Sequence, residues 1–157
     1  MSRRPLNSNQ LHVIALIRAA FAGVTLGDGV GLLQAQGIDA YADCNTISLY
    51  RSKDEKDDWS AIPVSELNKY SDSLSFFDAE GMRFHLPAFL IADIEGKFIG
   101  DLVFHLATGE HQCQSRFTLL TQDQRFSVRE FLTLWLSDLR CGSQRPMIEE
   151  ALNKHWL

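Results

Sequence analysis

The chain has 157 residues, 45% apolar and 22% charged, which suits one domain with a core needing no metal or disulfide staple and argues against wholesale disorder. A formal net charge of −5 argues against a nucleic-acid or anionic-membrane surface, since both need clustered Lys and Arg. The cysteines Cys44, Cys113 and Cys141 are too far apart for a metal knuckle or a CxxC pair, and their odd number points to reduced thiols in a cytoplasmic compartment.

Residues 1–6 read as a flexible tail on a single globular domain spanning 1–157. Arg3-Arg4 and Ala20-Phe21-Ala22 resemble parts of an export signal, but His12 and Arg18 interrupt the apolar region such a signal needs. The same residues suit an amphipathic helix. Asn7 and Gln10 form a capping box, Val13, Ile14, Ile17, Ala20 and Phe21 mark one face, and Gly23 supplies the stop. No stretch approaches the ~18 apolar residues of a membrane span.

A second helix is expected from Gly29 to Ala42, capped by Asp28 and weakened by Gly37. The glycines Gly27, Gly29 and Gly31 invite a phosphate-loop reading. However, Leu32 stands where the dinucleotide fingerprint wants its third glycine, and Asp28 would repel phosphate. Thr46–Tyr50 reads as a short strand or a continuation of that helix. The run Arg51–Asp58 reads as a solvated loop, without the spacing of a calcium loop. Trp59 returns the chain to the core, and Pro63 opens a short helix at its first position.

Ser75–Ile94 is the densest stretch in both core-forming and ionisable groups. Ser73–Phe77 suits a helical turn, Asp78-Ala79-Glu80-Gly81 a sharp turn, and Met82–Leu86 a brief strand or extended link by its alternation. Pro87 then biases Leu86 away from the helical region and begins a central helix, Ala88–Ile94. Phe98, Leu102, Val103, Phe104 and Leu106 suit either a strand pair around Gly100 or, the reading preferred, a helix Asp101–Ala107 capped by Asp101; Gly109–Ser115 is a loop, and Phe117, Leu119 and Leu120 re-enter the core. Thr121 and Gln124 box the clearest helix, whose buried face carries Val128, Phe131, Leu132, Trp135 and Leu139. A last helix opens at Arg145-Pro146-Met147, with Trp156 and Leu157 tucked against the body. The expected fold is mainly α, about six helices in one compact domain with at most a small β element, and α+β as the alternative.

Three strings carry a resemblance: Asp58-Trp59-x-x-Ile62-Pro63, the segment Phe77–Phe89 with its Leu86-Pro87-Ala88, and Leu119-Leu120-Thr121-x-x-Gln124. Across Trp59–Leu139 the chain resembles an uncharacterised bacterial domain-of-unknown-function family with a Phe/Tyr-rich Leu-Pro-Ala segment. The resemblance implies a bacterial cytosolic protein and brings no activity or site residues.

Chemistry, if present, centres on His85, Asp78, Glu80 and Arg83. Two carboxylates, a cation and an imidazole could supply a base, an acid and an anion clamp. The competing account makes them a structural network: Asp78 caps a turn, Glu80 pairs with Arg83, and His85 bonds a carbonyl. In an extended segment Arg83 and His85 would share the face opposite Met82, Phe84 and Leu86. His105, His111 and Cys113 could bind zinc with Asp101 or Glu110, although their spacing matches no standard knuckle. Phe76, Phe77, Phe84 and Phe89 are core by default and otherwise line a ligand pocket or a partner groove.

With no complete catalytic or cofactor motif and an acidic composition, the expectation is a non-enzymatic cytoplasmic protein-binding module, of immunity type by analogy. It implies a protein partner, no cofactor, no nucleic acid and no membrane. The alternative is a small hydrolase using His85 with Asp78 or Glu80, with or without a metal. His85 separates the two: it faces either backbone or a pocket.

Overall fold

The computed structural model describes residues 5–108 and 115–156, with 139 and 140 described by backbone alone. These residues form eight α-helices joined by short turns and 3-10 segments, with no strand among them. Helix α1 (Ser8–Ala20) opens on the expected capping box: the Gln10 N–H donates to Asn7 Oδ1 (2.8 Å) and the Asn7 N–H to Gln10 Oε1 (2.9 Å). Val13, Ile14 and Ile17 are buried, and Leu6 also packs on the core, so the expected tail does not reach that far.

The expected second helix is instead an antiparallel pair, α2 (Leu32–Asp39) and α3 (Cys44–Lys53). Asp28 is exposed and caps nothing; α2 starts at Gly31, whose N–H donates to Gln34 Oε1 (2.9 Å). The carboxylate serving the α2 N-terminus comes from beyond α3. Asp54 accepts from Leu33 N (2.7 Å) and Gln34 N (3.1 Å) and is buried. Two free N–H groups at a helix start attract an anion, which is why a distant Asp can hold this end. Arg51–Asp58 is therefore not a solvated loop throughout. Arg51 ends in the last turn of α3 and donates to the carbonyls of Gly29 and Gly27, the latter at 2.8 Å.

Trp59 is buried as expected and donates from its indole to Phe21 O (2.9 Å). In α4 (Val64–Lys69) Pro63 stands at the N-cap rather than at the first helical position.

The largest correction is α5 (Ala79–Ile94), a single helix where a turn, a strand and a half-helix were expected. The supposed turn residue Asp78 is its N-cap, accepting from Gly81 N (2.8 Å), and Gly81 lies in the first turn. Met82–Leu86 is helical, and Pro87 sits mid-helix, where it leaves the Arg83 carbonyl without its usual donor and costs about 3 kcal/mol. Burial outweighs that penalty: twelve of the sixteen residues of α5 are buried, among them Phe84, Leu86, Phe89 and Leu90. Period-2 alternation over five residues was a weaker signal than this continuous apolar content.

Helix α6 (Leu102–Ala107) is capped by Asp101 as expected, and Gly96 ends α5 at φ 72°. Helix α7 (Gln122–Leu136) carries the expected capping box and buries Val128, Phe131 and Leu132, while Trp135 is half-buried and the Leu139 side chain lies outside the described residues. Phe117 and Leu120 are buried but Leu119 is exposed. Helix α8 (Arg145–Lys154) leads into Trp156, whose indole donates to Leu106 O (2.8 Å); Leu157 lies outside the described residues. Helices α1 and α7 pack on each other and on α5, and α8 closes against α6 and α7.

Five of the arginines share one pattern. Arg51, Arg116, Arg125, Arg129 and Arg145 all donate to backbone carbonyls, several of them at helix C-terminal ends. Arg129 alone reaches Leu152 O (2.9 Å) and Trp156 O (2.7 Å), pinning the last turn of the chain. These five guanidinium groups thus serve backbone carbonyls of the same chain.

Candidate functional site

The four residues singled out near the start of α5 do lie together, though not as a working face. Asp78 Oδ1 accepts from Gly81 N and from Val30 N (2.9 Å), tying the 26–31 loop to the first turn of α5. The glycines make that approach possible. A Cβ on Gly29 would come within 2.7 Å of Gly81 N, and one on Gly81 within 2.5 Å of Val30 O. A Cβ on Gly31 would overlap the Asp54 carboxylate. The glycine cluster is therefore a close-packing device between loop and helix.

His85 is 0% exposed. Its ring stacks on Phe77 (centroids 4.3 Å apart, planes 4° from parallel) and meets Phe84 edge-on (4.9 Å). Nδ1 lies 2.7 Å from Gly81 O, an oxygen that can only accept, so Nδ1 carries the proton and donates. Nε2 is buried with no hydrogen-bond partner among the described residues. Burial pushes the imidazole pKa down to about 4, against the raising effects of the Gly81 carbonyl and the Asp78 charge. The ring is neutral at pH 7 and sealed among aromatics. Arg83 is half-buried, and its Nε is likewise buried without a partner. Of the stripe Phe76, Phe77, Phe84 and Phe89, the last three are core and Phe76 is exposed.

The candidate zinc cluster is described only at His105, because His111, Cys113 and Glu110 lie outside the described residues. His105 is half-buried, its pKa lowered by burial and by Arg116 and raised by Asp101 and Asp72. Asp101 caps α6 through Phe104 N (3.0 Å) and accepts from Gln144 Nε2 (3.1 Å). No cluster of three His, Cys, Asp or Glu groups able to hold a metal occurs among the described residues.

Two grooves open on the surface. One of about 710 Å³ lies between the start of α1 and the ends of α5 and α7, with Leu6, Ile94, Leu134 and Trp135 on its walls. There Trp135 donates to Asp93 Oδ2 (2.8 Å). The other, about 380 Å³, lies over Asp54 and Ile62. Asp78, Glu80, Arg83 and His85 line neither.

The sequence reading missed the α2–α3 arm. Gly37 had registered only as a weak point in a helix; it is where α3 comes closest, since a Cβ there would meet the Tyr50 ring at 2.9 Å. Helix α3 has no fully buried residue, its Ile47 and Tyr50 being half-buried, and the arm leaves Ile38, Tyr41 and Leu49 exposed. Asp43 caps α3 through Thr46 N (2.7 Å), which holds its carboxyl below the usual range. The signal was present in the non-periodic apolar residues between Ile38 and Leu49, which a single long helix could not place on one face.

No helix among the described residues is long and apolar enough to cross a membrane. No curated protein matches the chain. No solved structure matches it either. One family model covers residues 9–157, a wider span than the Trp59–Leu139 of the sequence resemblance. The chain belongs to the Family of unknown function (DUF6714).

Proposed function

We propose that the protein is a non-enzymatic protein-binding module and that the α2–α3 arm is its docking element. The observation that carries this reading is α3 itself, a ten-residue helix with no fully buried residue, in an arm exposing Ile38, Tyr41 and Leu49. A helix that packs on α2 without a fully buried residue adds little to the central core, and exposed apolar side chains on such a helix pair suit an interaction surface. Hydrolysis at His85 would need its ring to reach a substrate, and the ring is closed in by Phe77, Phe84 and the Gly81 carbonyl. The free thiols Cys44 and Cys141 fit a reducing, cytoplasmic setting. An immunity-type role, the masking of a cationic toxin, is one form of binding that an acidic surface would suit.

The test is affinity capture from the cells that naturally make the chain, comparing wild type with an Ile38→Ser/Leu49→Ser double variant. Wild type should retain a protein that the double variant loses. Equal retention by both would remove the arm from the reading. Recovery of a small molecule with no protein would overturn the reading itself.

A further inference from the structure

The tip of the arm breaks a local rule without any return inside the fold. Helix α2 ends in a Schellman arrangement: Tyr41 N–H donates to Ile38 O (3.2 Å) and Ala42 N–H to Gly37 O (2.9 Å). The residue just past the C-cap Ala40 takes the left-handed conformation and is ordinarily Gly, sometimes Asn. Here it is Tyr41 at φ 55°, the one non-glycine residue with positive φ among the described residues. Its side chain is 96% exposed, so burial returns nothing for the strain. A local violation with no structural compensation is the kind that marks a functional site.

The charges nearest it in sequence have one sign. From Ala19 to Tyr50 the sequence holds no Lys, Arg or His, while Asp28, Asp39 and Asp43 lie within it. Asp39 is the last residue of α2, where a carboxylate opposes the helix dipole. Asp43 stands two residues beyond Tyr41 as the α3 cap. Arg51, the first cation after them, is turned onto the Gly27 and Gly29 carbonyls. An exposed aromatic ring therefore sits between two carboxylates with no nearby cation in sequence to neutralise them.

We propose that Tyr41 is the anchor of a docking site at the arm's tip, and that its occupant is a partner protein presenting an apolar slot rimmed by Lys or Arg. This rests on the protein-binding reading above. Tyr offers a large, rigid contact surface ending in a hydroxyl, and residues of this type carry much of the binding energy at interfaces. Asp39 and Asp43 would steer the encounter and fix its register on a basic rim. A second copy of the chain is a poor occupant, because two such tips would repel.

A benzophenone amino acid at position 40, beside an intact Tyr41, tests this in the full chain inside its native cells, with the same probe at exposed position 99 as control. The expected result is one dominant adduct at position 40, mapping to a Lys/Arg-rich, aliphatic segment of another protein. Tyr41→Gly should lower its yield about tenfold, the loss of one good anchor, while leaving the melting temperature of the purified chain unchanged or a few degrees higher. Asp39→Asn/Asp43→Asn keeps a good cap and should reduce the yield several-fold, as should high salt. Adducts at position 99 but not at 40 would overturn the tip while leaving the binding reading in place. An adduct mapping to this same chain, or to an acidic segment, would overturn the basic partner. No adduct at either position, with capture also empty, would bring down the binding reading itself.

Discussion

At the start of α5 a histidine and a proline occupy places that helix propensity and solvation disfavour, and the surroundings make up the loss. His85 has Phe77 against its face, Phe84 at its edge and a carbonyl on Nδ1, and Pro87 lies within the most buried helix of the molecule. At the tip of the α2–α3 arm, Tyr41 and Asp39 also break local rules, and Tyr41 is left almost wholly in solvent. The two regions have similar residue chemistry and opposite surroundings. A polar or strained group enclosed by partners is accounted for by folding, whereas one left in solvent is not.

The contrast can be broken most forcefully at His85. An unfolded imidazole takes up its proton near pH 6.5, but the buried one resists until about pH 4. Between those values the unfolded state binds more protons, so stability falls as pH drops through that window and levels off below it. Each pH unit crossed inside the window removes about 1.4 kcal/mol, for a full loss of about 3 kcal/mol. Urea denaturation of wild type and His85→Gln across pH 7.5 to 3.5 measures it. The variant should be less stable at pH 7.5, yet lack this part of the decline. Parallel curves for the two proteins would mean that His85 is not buried neutral.

How far the sequence revealed each region follows from the same contrast. Capping boxes at Asn7 and Thr121 were legible because both partners lie within four residues, and both form as expected. The helix cap at Asp101 was legible for the same reason. Asp54 was not, since its partners Leu33 and Gln34 are about twenty residues away and its own neighbours are uniformly polar. For α5, the Asp-Ala-Glu-Gly string, a short alternation and a proline all argued locally against helix; burial of nearly the whole segment overrode them. The α5 cluster was found by composition, but composition could not say that His85 faces inward. Tyr41 passed unnoticed because its interest lies in a backbone angle that no residue pattern displays.

Asp54 offers the next test, with a smaller effect. It is buried like His85 but serves the arm, holding the α2 N-terminus through two N–H groups. Desolvation raises its pKa, opposed by those two bonds and by Lys56 and Arg51. A carboxyl raised in this way is more costly to fold ionised than protonated, so its own contribution improves as pH falls, the opposite sense to His85. Asp54→Ala should still destabilise by about 1–3 kcal/mol, because it strands two donors at a buried helix end. Hydrogen exchange should localise the loss, with Leu33 and Gln34 amides exchanging faster while those of α5 change only through the global term. Uniform acceleration throughout the chain would mean that the arm does not open independently of the core.

The smallest effect on stability belongs to Leu49, and there the contrast is sharpest. It projects from α3 more than half exposed, 53%, on a helix with no buried residue. Surface substitutions away from caps and buried networks usually fall within about 0.5 kcal/mol, so Leu49→Ser should leave the urea midpoint nearly where it was. A loss of about 2 kcal/mol or more would show that Leu49 is packed in solution, for instance against another copy. In that case the midpoint would also rise with protein concentration, because an association that protects only the folded chain stabilises it by mass action. A small, concentration-independent change is the result expected of a side chain that the fold does not need.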